Sequence, residues 1–155
     1  MGLARNVVEH LAKMGMKVAT AESCTGGMVA ATIISVPGSS VVVDSSYVTY
    51  SNQAKMDILG VPDEDLTREG AVSEVVARKM AQGVRRAAGA DVGVSATGIA
   101  GPDGGTIDKP VGLVYIAIST EERVVCKKLL LKGTRNRIRR KTTKEILKLI
   151  LEETK

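Results

Sequence analysis

The sequence predicts an α/β fold, a three-layer α/β/α sandwich around a mixed sheet. Apolar, β-branched segments alternate with segments of helical spacing over most of the 155 residues, which is typical of helices packed against a sheet in layers. The last two strand segments, 111–119 and 123–131, are separated only by "TEE". We therefore expect an antiparallel hairpin and a mixed sheet. We expect residues 1–155 to form one domain, since this length suffices for a single core.

The first fifty residues are predicted to form two helices and two strand segments. Leu3, Val7 and Leu11 recur at helical spacing, and Gly15 ends this first helix as a C-cap. An apolar strand follows, then a second helix, the turn "PGSS" and the segment "VVVDSSYVTY", a strand or a bent pair of strands. In chain order these elements cover 3–14, 16–21, 26–36, 37–40 and 41–50.

The remaining elements are marked by helix caps and by a break rich in Gly and Pro. Ser51 or Asn52 begins a short helix that Gly60 ends. Ser73 begins a longer helix and Thr134 the last one. A strand, a long loop and the hairpin lie between these two. In chain order the elements cover 51–60, 74–89, 91–96, 97–110, 111–119, 123–131 and the residues from 134 onward.

The composition favours a soluble globular protein. No apolar run reaches the roughly 18 residues of a membrane span, and the start of the chain lacks a signal-peptide core. We therefore expect a cytoplasmic protein without a membrane partner. The net charge of +5 favours anionic partners, but the absence of Phe and Trp argues against a nucleic acid bound by base stacking. The 44% hydrophobic content and a sheet edge permit a homodimer.

The cysteines and the histidine restrict the chemistry. His10 is the single histidine, and Cys24 and Cys126 are the two cysteines, with no CxxC motif. This set argues against a zinc site, and we expect neither a metal nor another cofactor. Cys24 is a candidate nucleophile, but without a nearby histidine a packed structural thiol is the more frequent role.

Three further stretches are candidate binding elements. "AESCTGG" follows a predicted strand and precedes a helix, at the kind of strand end where α/β sheets bind ligands. The loop "SATGIAGPDGG" also follows a strand, and its backbone N–H groups are suited to an anion. "TRNRIRRK" places four arginines at the start of the last helix, where the macrodipole is already positive, and this favours a phosphate site. A solvated basic face and contact with a nucleic-acid backbone are the alternatives.

The segment "PGSS…TYSNQAK" is the candidate catalytic element. A serine becomes a nucleophile when a base takes its proton, and a neutral lysine performs this role in Ser–Lys enzymes. Lys55 lies in the first turn of a predicted helix, where the macrodipole disfavours its positive charge. Burial must supply most of the remaining pKa shift. Tyr50, just before the helix, is placed to orient the lysine or to relay a proton.

Six motifs together resemble one family over nearly the whole chain. "AESCTGG", "PGSS", "VTYSNQAK", "GAVSE", "SATGIAGPDGG" and "KPVGLVYIA" occur in the order seen in the CinA C-terminal domain family, also called PncC. The resemblance implies a three-layer α/β/α domain and a metal-free nicotinamide-nucleotide amidase. Such an enzyme hydrolyses nicotinamide mononucleotide to nicotinic acid mononucleotide and ammonia. A non-catalytic nucleotide-binding module, or a regulatory module associated with competence or DNA damage, is the alternative.

The resemblance also implies roles for individual residues. Ser40 is expected to be the nucleophile, Lys55 its base and Tyr50 an assisting group, with Ser23 as the alternative nucleophile. The substrate-binding set comprises the pocket wall, the glycine loop and the arginines expected to meet the phosphate: Ser23, Thr25, Gly26, Gly27, Asn52, Thr97, Gly98, Gly101, Arg135 and Arg137.

Overall fold

A computed structural model describes residues 2–155, which form five strands, six α-helices and one 3-10 turn. The strands are β1 (Val18–Glu22), β2 (Val43–Val48), β3 (Val92–Gly98), β4 (Leu113–Ser119) and β5 (Val124–Leu130). The helices are α1 (Gly2–Met14), α2 (Met28–Ile34), α3 (Asn52–Leu59), α4 (Asp63–Glu69), α5 (Glu74–Ala88) and α6 (Arg135–Glu153). The 3-10 turn covers Ser39–Val41.

The five strands form one mixed sheet in the order β2-β1-β3-β4-β5. The first three strands are parallel, whereas β3 pairs antiparallel with β4, and β4 with β5. The predicted mixed sheet and hairpin are therefore confirmed. Because β1, β2 and β3 are parallel neighbours, their carboxyl ends meet at one edge of the sheet, where α/β folds bind ligands.

Helices cover the sheet in two layers, which confirms the three-layer sandwich. One layer holds α1, α2 and α6, which pack on one another around a core that includes Leu11, Ile33 and Ile146. The other layer holds α3, α4 and α5, whose core includes Leu59 and Met80. Within residues 2–155, no helix combines the length and the apolar character that a bilayer span requires.

The predicted helix caps lie where the sequence indicates. The hydroxyls of Ser51, Ser73 and Thr134 each accept a hydrogen bond from a backbone N–H in the first turn of α3, α5 and α6. Gly60 ends α3 with a left-handed φ of 69°, a conformation that suits glycine. These caps fix where α3 and α6 begin, and both of these helix starts contribute to the site described below.

Candidate active site

A buried lysine and a serine meet at the carboxyl edge of the parallel strands. The Nζ of Lys55 lies 3.1 Å from the Oγ of Ser23. Ser23 directly follows β1, and Lys55 lies in α3, which follows β2. Since Glu22 is paired with Val48 in the sheet, the ends of these strands are adjacent, and the Ser23–Lys55 contact follows from the strand order.

Lys55 is enclosed by neutral groups. Its side chain is 1% exposed, and it forms no ion pair with any carboxylate of residues 2–155. Its Nζ is 2.9 Å from the carbonyl oxygen of Thr49 and 3.1 Å from that of Tyr50. Burial disfavours the charged ammonium and lowers the pKa of Lys55 below its usual value of 10.5.

These three contacts fit a neutral amine as well as a cation. A neutral lysine has two N–H groups and one lone pair. The two N–H groups match the carbonyls of Thr49 and Tyr50, and the lone pair then accepts the hydroxyl hydrogen of Ser23. The charged form instead donates to all three oxygens. When Lys55 is deprotonated, the Ser23 hydroxyl can therefore donate its hydrogen bond to a basic amine with no change in the positions of the two residues.

The structure separates Ser40 from Lys55, contrary to the expected pairing. Ser40 lies in the 3-10 turn before β2, whereas Lys55 follows the other end of that strand. The six residues of β2 span roughly 17–20 Å at about 3.3 Å per residue. Ser40 is exposed, and Ser23 takes the position beside the lysine that the sequence analysis gave to Ser40.

The glycines of "AESCTGG" shape the turn, but their N–H groups are used internally. Gly26 and Gly27 have left-handed φ values of 61° and 99°, which few other residues adopt. The Gly26 N–H donates to the Ser23 carbonyl, and the Gly27 N–H donates to the Glu22 carboxylate. The structure therefore gives both amide hydrogens a partner within the turn, so neither is available to a ligand in this arrangement.

Two threonines expected in the pocket wall also have other positions. The Thr25 side chain is fully buried, and its hydroxyl has no hydrogen-bond partner among residues 2–155. The Thr97 hydroxyl is buried and donates to the carbonyl oxygen of Ala71 at 2.8 Å. The Thr97 hydrogen bond therefore connects β3 to the segment before α5. Because both threonines are buried, neither hydroxyl faces the solvent-accessible side of the site.

Arg135 connects three elements around the site. Its Nη1 donates to the carbonyl oxygen of Gly101 at 2.7 Å, and its Nη2 donates to the hydroxyl of Tyr50 at 3.3 Å. The start of α6 thus lies beside the glycine loop after β3 and the segment after β2. Tyr50 contacts Lys55 through its carbonyl, while its hydroxyl is directed to Arg135. The expected proton relay through that hydroxyl has no supporting contact.

Within residues 2–155, no hydrogen bond from a side chain joins Arg137, Asn52 or Gly98 to Ser23, Lys55 or Arg135. Arg137 is two residues beyond Arg135, about 200° around the helix, and its side chain packs against Gly133. Asn52 is exposed at the first position of α3. Gly98 ends β3, where a Cβ would collide with Val114. Arg135 is therefore the predicted phosphate-binding arginine that the structure brings to the site.

The thiol of Cys24 is buried beside the site. Its pKa is raised from 9.0 to about 11, chiefly by burial, with a smaller contribution from the charge of Glu22. The side chain packs in the core with Val29 and Ala96. A thiol with this pKa is almost wholly protonated near neutral pH, which argues against Cys24 as the nucleophile.

A family model places this architecture among known proteins. The model described as the CinA C-terminal domain matches residues 1–154. The chain belongs to the CinA C-terminal domain family. It is 51% identical over 144 residues to a CinA-like protein of Anaeromyxobacter dehalogenans, a match that covers 93% of this chain and 35% of the relative. A CinA-like protein of Kosmotoga olearia is 52% identical over 133 residues, with 86% and 32% covered. The chain thus spans about a third of the length of these curated relatives.

Solved structures of CinA proteins share the fold. The competence/damage inducible protein CihA from Agrobacterium tumefaciens is similar with a TM-score of 0.96 at 42% identity, covering 97% of this chain and 93% of that one. A CinA superfamily protein from Escherichia coli matches with a TM-score of 0.93 at 32% identity, covering 96% and 87%. These similarities confirm the family resemblance and the fold of the sequence analysis.

Two residues of this CinA domain hold the site together, although the sequence analysis included them only within candidate stretches and gave neither an individual role. The Glu22 carboxylate is 1% exposed and accepts the N–H groups of Val29 and Ala30 at the start of α2, each at 2.9 Å. Arg139 donates to the carbonyls of Cys24 and Thr25. Arg139 lies four residues after Arg135, and residues at i and i+4 share a helix face. This spacing is the sequence signal from which a place for Arg139 at the site could have been predicted.

A separate cleft of about 670 Å³ lies at the opposite end of the sheet. It is lined by the end of α5 and the β4–β5 turn, including Arg85, Glu122 and Arg123. Both signs of charge occur there, and the Arg123 side chain is paired with Glu153. The Ser23–Lys55 contact lies at the other edge, so the cleft is not part of the candidate active site.

Proposed function

We propose that this CinA domain is a Ser–Lys amidase acting on a pyridine nucleotide, with Ser23 as the nucleophile and Lys55 as the base. The observation that carries the proposal is the 3.1 Å contact between Lys55 Nζ and Ser23 Oγ at a lysine that is buried without a carboxylate. A structural lysine in such a position is costly unless it is paired, whereas a catalytic lysine requires the lowered pKa that this burial causes.

The first half of the reaction transfers the acyl group to the enzyme. Ser23 Oγ attacks the carboxamide carbon, and its proton moves to neutral Lys55. The carbonyl oxygen becomes the oxyanion of a tetrahedral intermediate. As this intermediate collapses, Lys55 returns the proton to the departing amino group. Ammonia leaves, and the acyl group remains bound to Ser23 as an ester.

Water completes the reaction with the same two residues. Lys55 takes a proton from water, and the resulting hydroxide attacks the ester carbon. Collapse of the second intermediate breaks the bond to Ser23 Oγ, and Lys55 returns the proton to this oxygen. The product is a carboxylic acid, which ionises near neutral pH. Ser23 and Lys55 are regenerated, so no further reactant is needed.

Arg135 supports a phosphate-bearing substrate. It stands at the start of a 19-residue helix whose first turn has no acidic residue, and it forms no ion pair within residues 2–155. A helix N-terminus with an arginine favours a phosphate. Nicotinamide mononucleotide combines a phosphate with a carboxamide, and the motif resemblance to nicotinamide-nucleotide amidases supports it as the substrate.

The test is an assay of the purified chain with nicotinamide mononucleotide, measuring ammonia and nicotinic acid mononucleotide together. We expect both products in equal amounts from the wild type, and neither from Lys55→Met. Tight binding of the nucleotide without product from the wild type would instead support the non-catalytic, regulatory alternative. Absence of both binding and product would overturn the substrate assignment.

A further inference from the structure

Two large apolar side chains are exposed at the end of β2, beside the candidate active site. Val48 is 52% exposed and Tyr50 is 62% exposed, whereas Thr49 between them is buried. The Thr49 carbonyl accepts a hydrogen bond from Lys55. Single exposed apolar residues are common on protein surfaces. A pair of them next to a candidate base is the kind of surface that binds the apolar part of a ligand.

Contacts on three sides place this pair between the parts of the site. A Cβ atom on Gly27 would lie 3.5 Å from Val48 Cγ2, so Val48 borders the turn that follows β1. The carbonyl of Tyr50 accepts a hydrogen bond from Lys55 Nζ at 3.1 Å, and the hydroxyl of Tyr50 accepts one from Arg135 Nη2 at 3.3 Å. Tyr50 therefore connects the base to the start of α6.

This arrangement matches the order of groups in nicotinamide mononucleotide. Its carboxamide and its phosphate are at opposite ends, with the pyridinium ring and the ribose between them. A carboxamide at Ser23 and a phosphate at Arg135 leave the ring beside the exposed residues that join these two positions, Val48 and Tyr50. The ring carries a positive charge, and the face of a tyrosine ring attracts a cation. Tyr50 thus offers the ring both apolar area and a favourable electrostatic interaction.

We propose that Val48 and Tyr50 form a platform for a positively charged pyridinium ring. This platform makes the amidase selective for N-ribosylated pyridinium carboxamides over uncharged aromatic amides. The inference rests on the proposed function, because it takes Ser23 and Arg135 as the two ends of the substrate site. Tyr50 is then a substrate-binding residue that acts through its ring, and the hydrogen bond from Arg135 to its hydroxyl holds the ring in place.

A pair of matched ligands tests the platform. Benzamide mononucleotide has the carboxamide, ribose and phosphate of nicotinamide mononucleotide, but its benzene ring is uncharged. The affinities are measured by calorimetry in Ser23→Ala, which lacks the proposed nucleophile, so that turnover does not disturb them. A cation–π contact favours the charged ligand by roughly 2- to 30-fold. We expect Ser23→Ala to bind nicotinamide mononucleotide more tightly than benzamide mononucleotide by a factor in this range.

Substitutions of Tyr50 in the Ser23→Ala background separate the ring from the hydroxyl. Tyr50→Leu removes the ring, and the two affinities should become equal. Tyr50→Phe removes only the bond to Arg135, and most of the preference for the charged ligand should remain. Leu130→Ala is the matched control, because Leu130 is an apolar residue that is 66% exposed on β5, at the opposite edge of the sheet. It should leave both affinities unchanged.

Val48→Asp in the same background should change the preference in the opposite direction. A carboxylate beside the platform attracts the pyridinium ring but not the benzene ring, so the preference for nicotinamide mononucleotide should increase about threefold or more. Because both ligands carry the same phosphate, repulsion of that phosphate by the introduced carboxylate cancels in the ratio of affinities. An unchanged or lower ratio would overturn the place of Val48 in the platform.

The binding results can be distinguished from those of the amidase assay. Equal affinities of Ser23→Ala for the two ligands, or a preference that survives Tyr50→Leu, overturn the platform even where the wild type releases ammonia. A wild type that releases no ammonia, together with a preference that Tyr50→Leu abolishes, overturns the proposed function and supports the platform. Absence of binding of both nucleotides overturns the two together.

Discussion

Lys55 Nζ and Ser23 Oγ lie 3.1 Å apart although 32 positions separate the residues in the chain. The contact depends on the pairing of β1 with β2, which puts the residues after both strands side by side. Lys55 contributes an amine whose charge is disfavoured by burial, and Ser23 contributes a half-buried hydroxyl beside it. Each of these properties leads to a measurement.

The first prediction concerns the identity of the nucleophile. Ser23→Ala removes the hydroxyl that contacts Lys55, so ammonia release from nicotinamide mononucleotide should fall by at least about 10³-fold. Ser40→Ala alters an exposed hydroxyl at the other end of β2 and should retain the wild-type rate. Retained activity in Ser23→Ala, or its loss in Ser40→Ala, would restore Ser40 as the nucleophile.

The second prediction is the pH dependence of the reaction. Burial lowers the pKa of Lys55, and the base works in its neutral form. The value of kcat/KM should therefore rise with pH and level off above an apparent pKa that lies below 10.5. Lys55→Arg keeps a permanent positive charge and should be inactive at every pH. A rate that is flat in the wild type from pH 5 to 10 would contradict the role of Lys55.

The third prediction is a pH-dependent stability that does not require catalysis. Because the pKa of Lys55 is lower in the folded chain than in the unfolded chain, the unfolded state binds more protons between these two values. The free energy of unfolding should therefore rise with pH in this window, by at most about 1.4 kcal/mol per pH unit from this one group. Below the folded-state pKa, Lys55 is charged in both states, and the folded chain bears the full free-energy cost of burying that charge.

Lys55→Met isolates this contribution. The free energy of unfolding of both proteins can be measured by urea denaturation at several pH values. The value for the wild type minus that for the variant should increase as the pH approaches 10.5. The change should stop above this value, where Lys55 is neutral in both states. Parallel stability curves for the two proteins over the whole range would mean that the pKa of Lys55 is not lowered.

Most of the fold follows from local sequence signals. The caps Ser51, Ser73 and Thr134 and the stop Gly60 fix helix ends through contacts within a few residues, and the strands are marked by their β-branched content. The sequence analysis assigned no element to the residues of α4. This seven-residue helix begins with Asp63, Glu64 and Asp65, and Leu66 is its one buried apolar residue, so it has no apolar periodicity to detect.

The site was less predictable, because its contacts join distant parts of the chain. Ser40 and Lys55 share the short segment "PGSS…TYSNQAK", yet the strand β2 lies between them and separates them in space. The contact of Ser23 with Lys55 depends on which strands are neighbours, and local spacing does not encode this. The same applies to Arg139, whose contacts with Cys24 and Thr25 span more than a hundred residues.

The fourth prediction concerns the two thiols. Burial raises the pKa of both Cys24 and Cys126 to about 11. At pH 8 the thiolate fraction of each is then roughly two orders of magnitude below that of an ordinary cysteine, and the thiolate is the reactive form. Iodoacetamide should modify the folded chain slowly and leave ammonia release intact, whereas the urea-unfolded chain should react at once. Rapid inactivation in parallel with labelling of Cys24 would favour a thiol mechanism.

The last prediction separates phosphate binding from the chemical step. Arg135→Gln removes a cation that reaches both Tyr50 and Gly101 at the start of α6. A charged hydrogen bond is worth about 1.5–3 kcal/mol, so KM for nicotinamide mononucleotide should rise roughly 10- to 100-fold. Nicotinamide riboside, which lacks the phosphate, should be turned over by the variant and the wild type with similar kcat/KM. Equal losses for both substrates would show that Arg135 supports the loop at Gly101 rather than the phosphate.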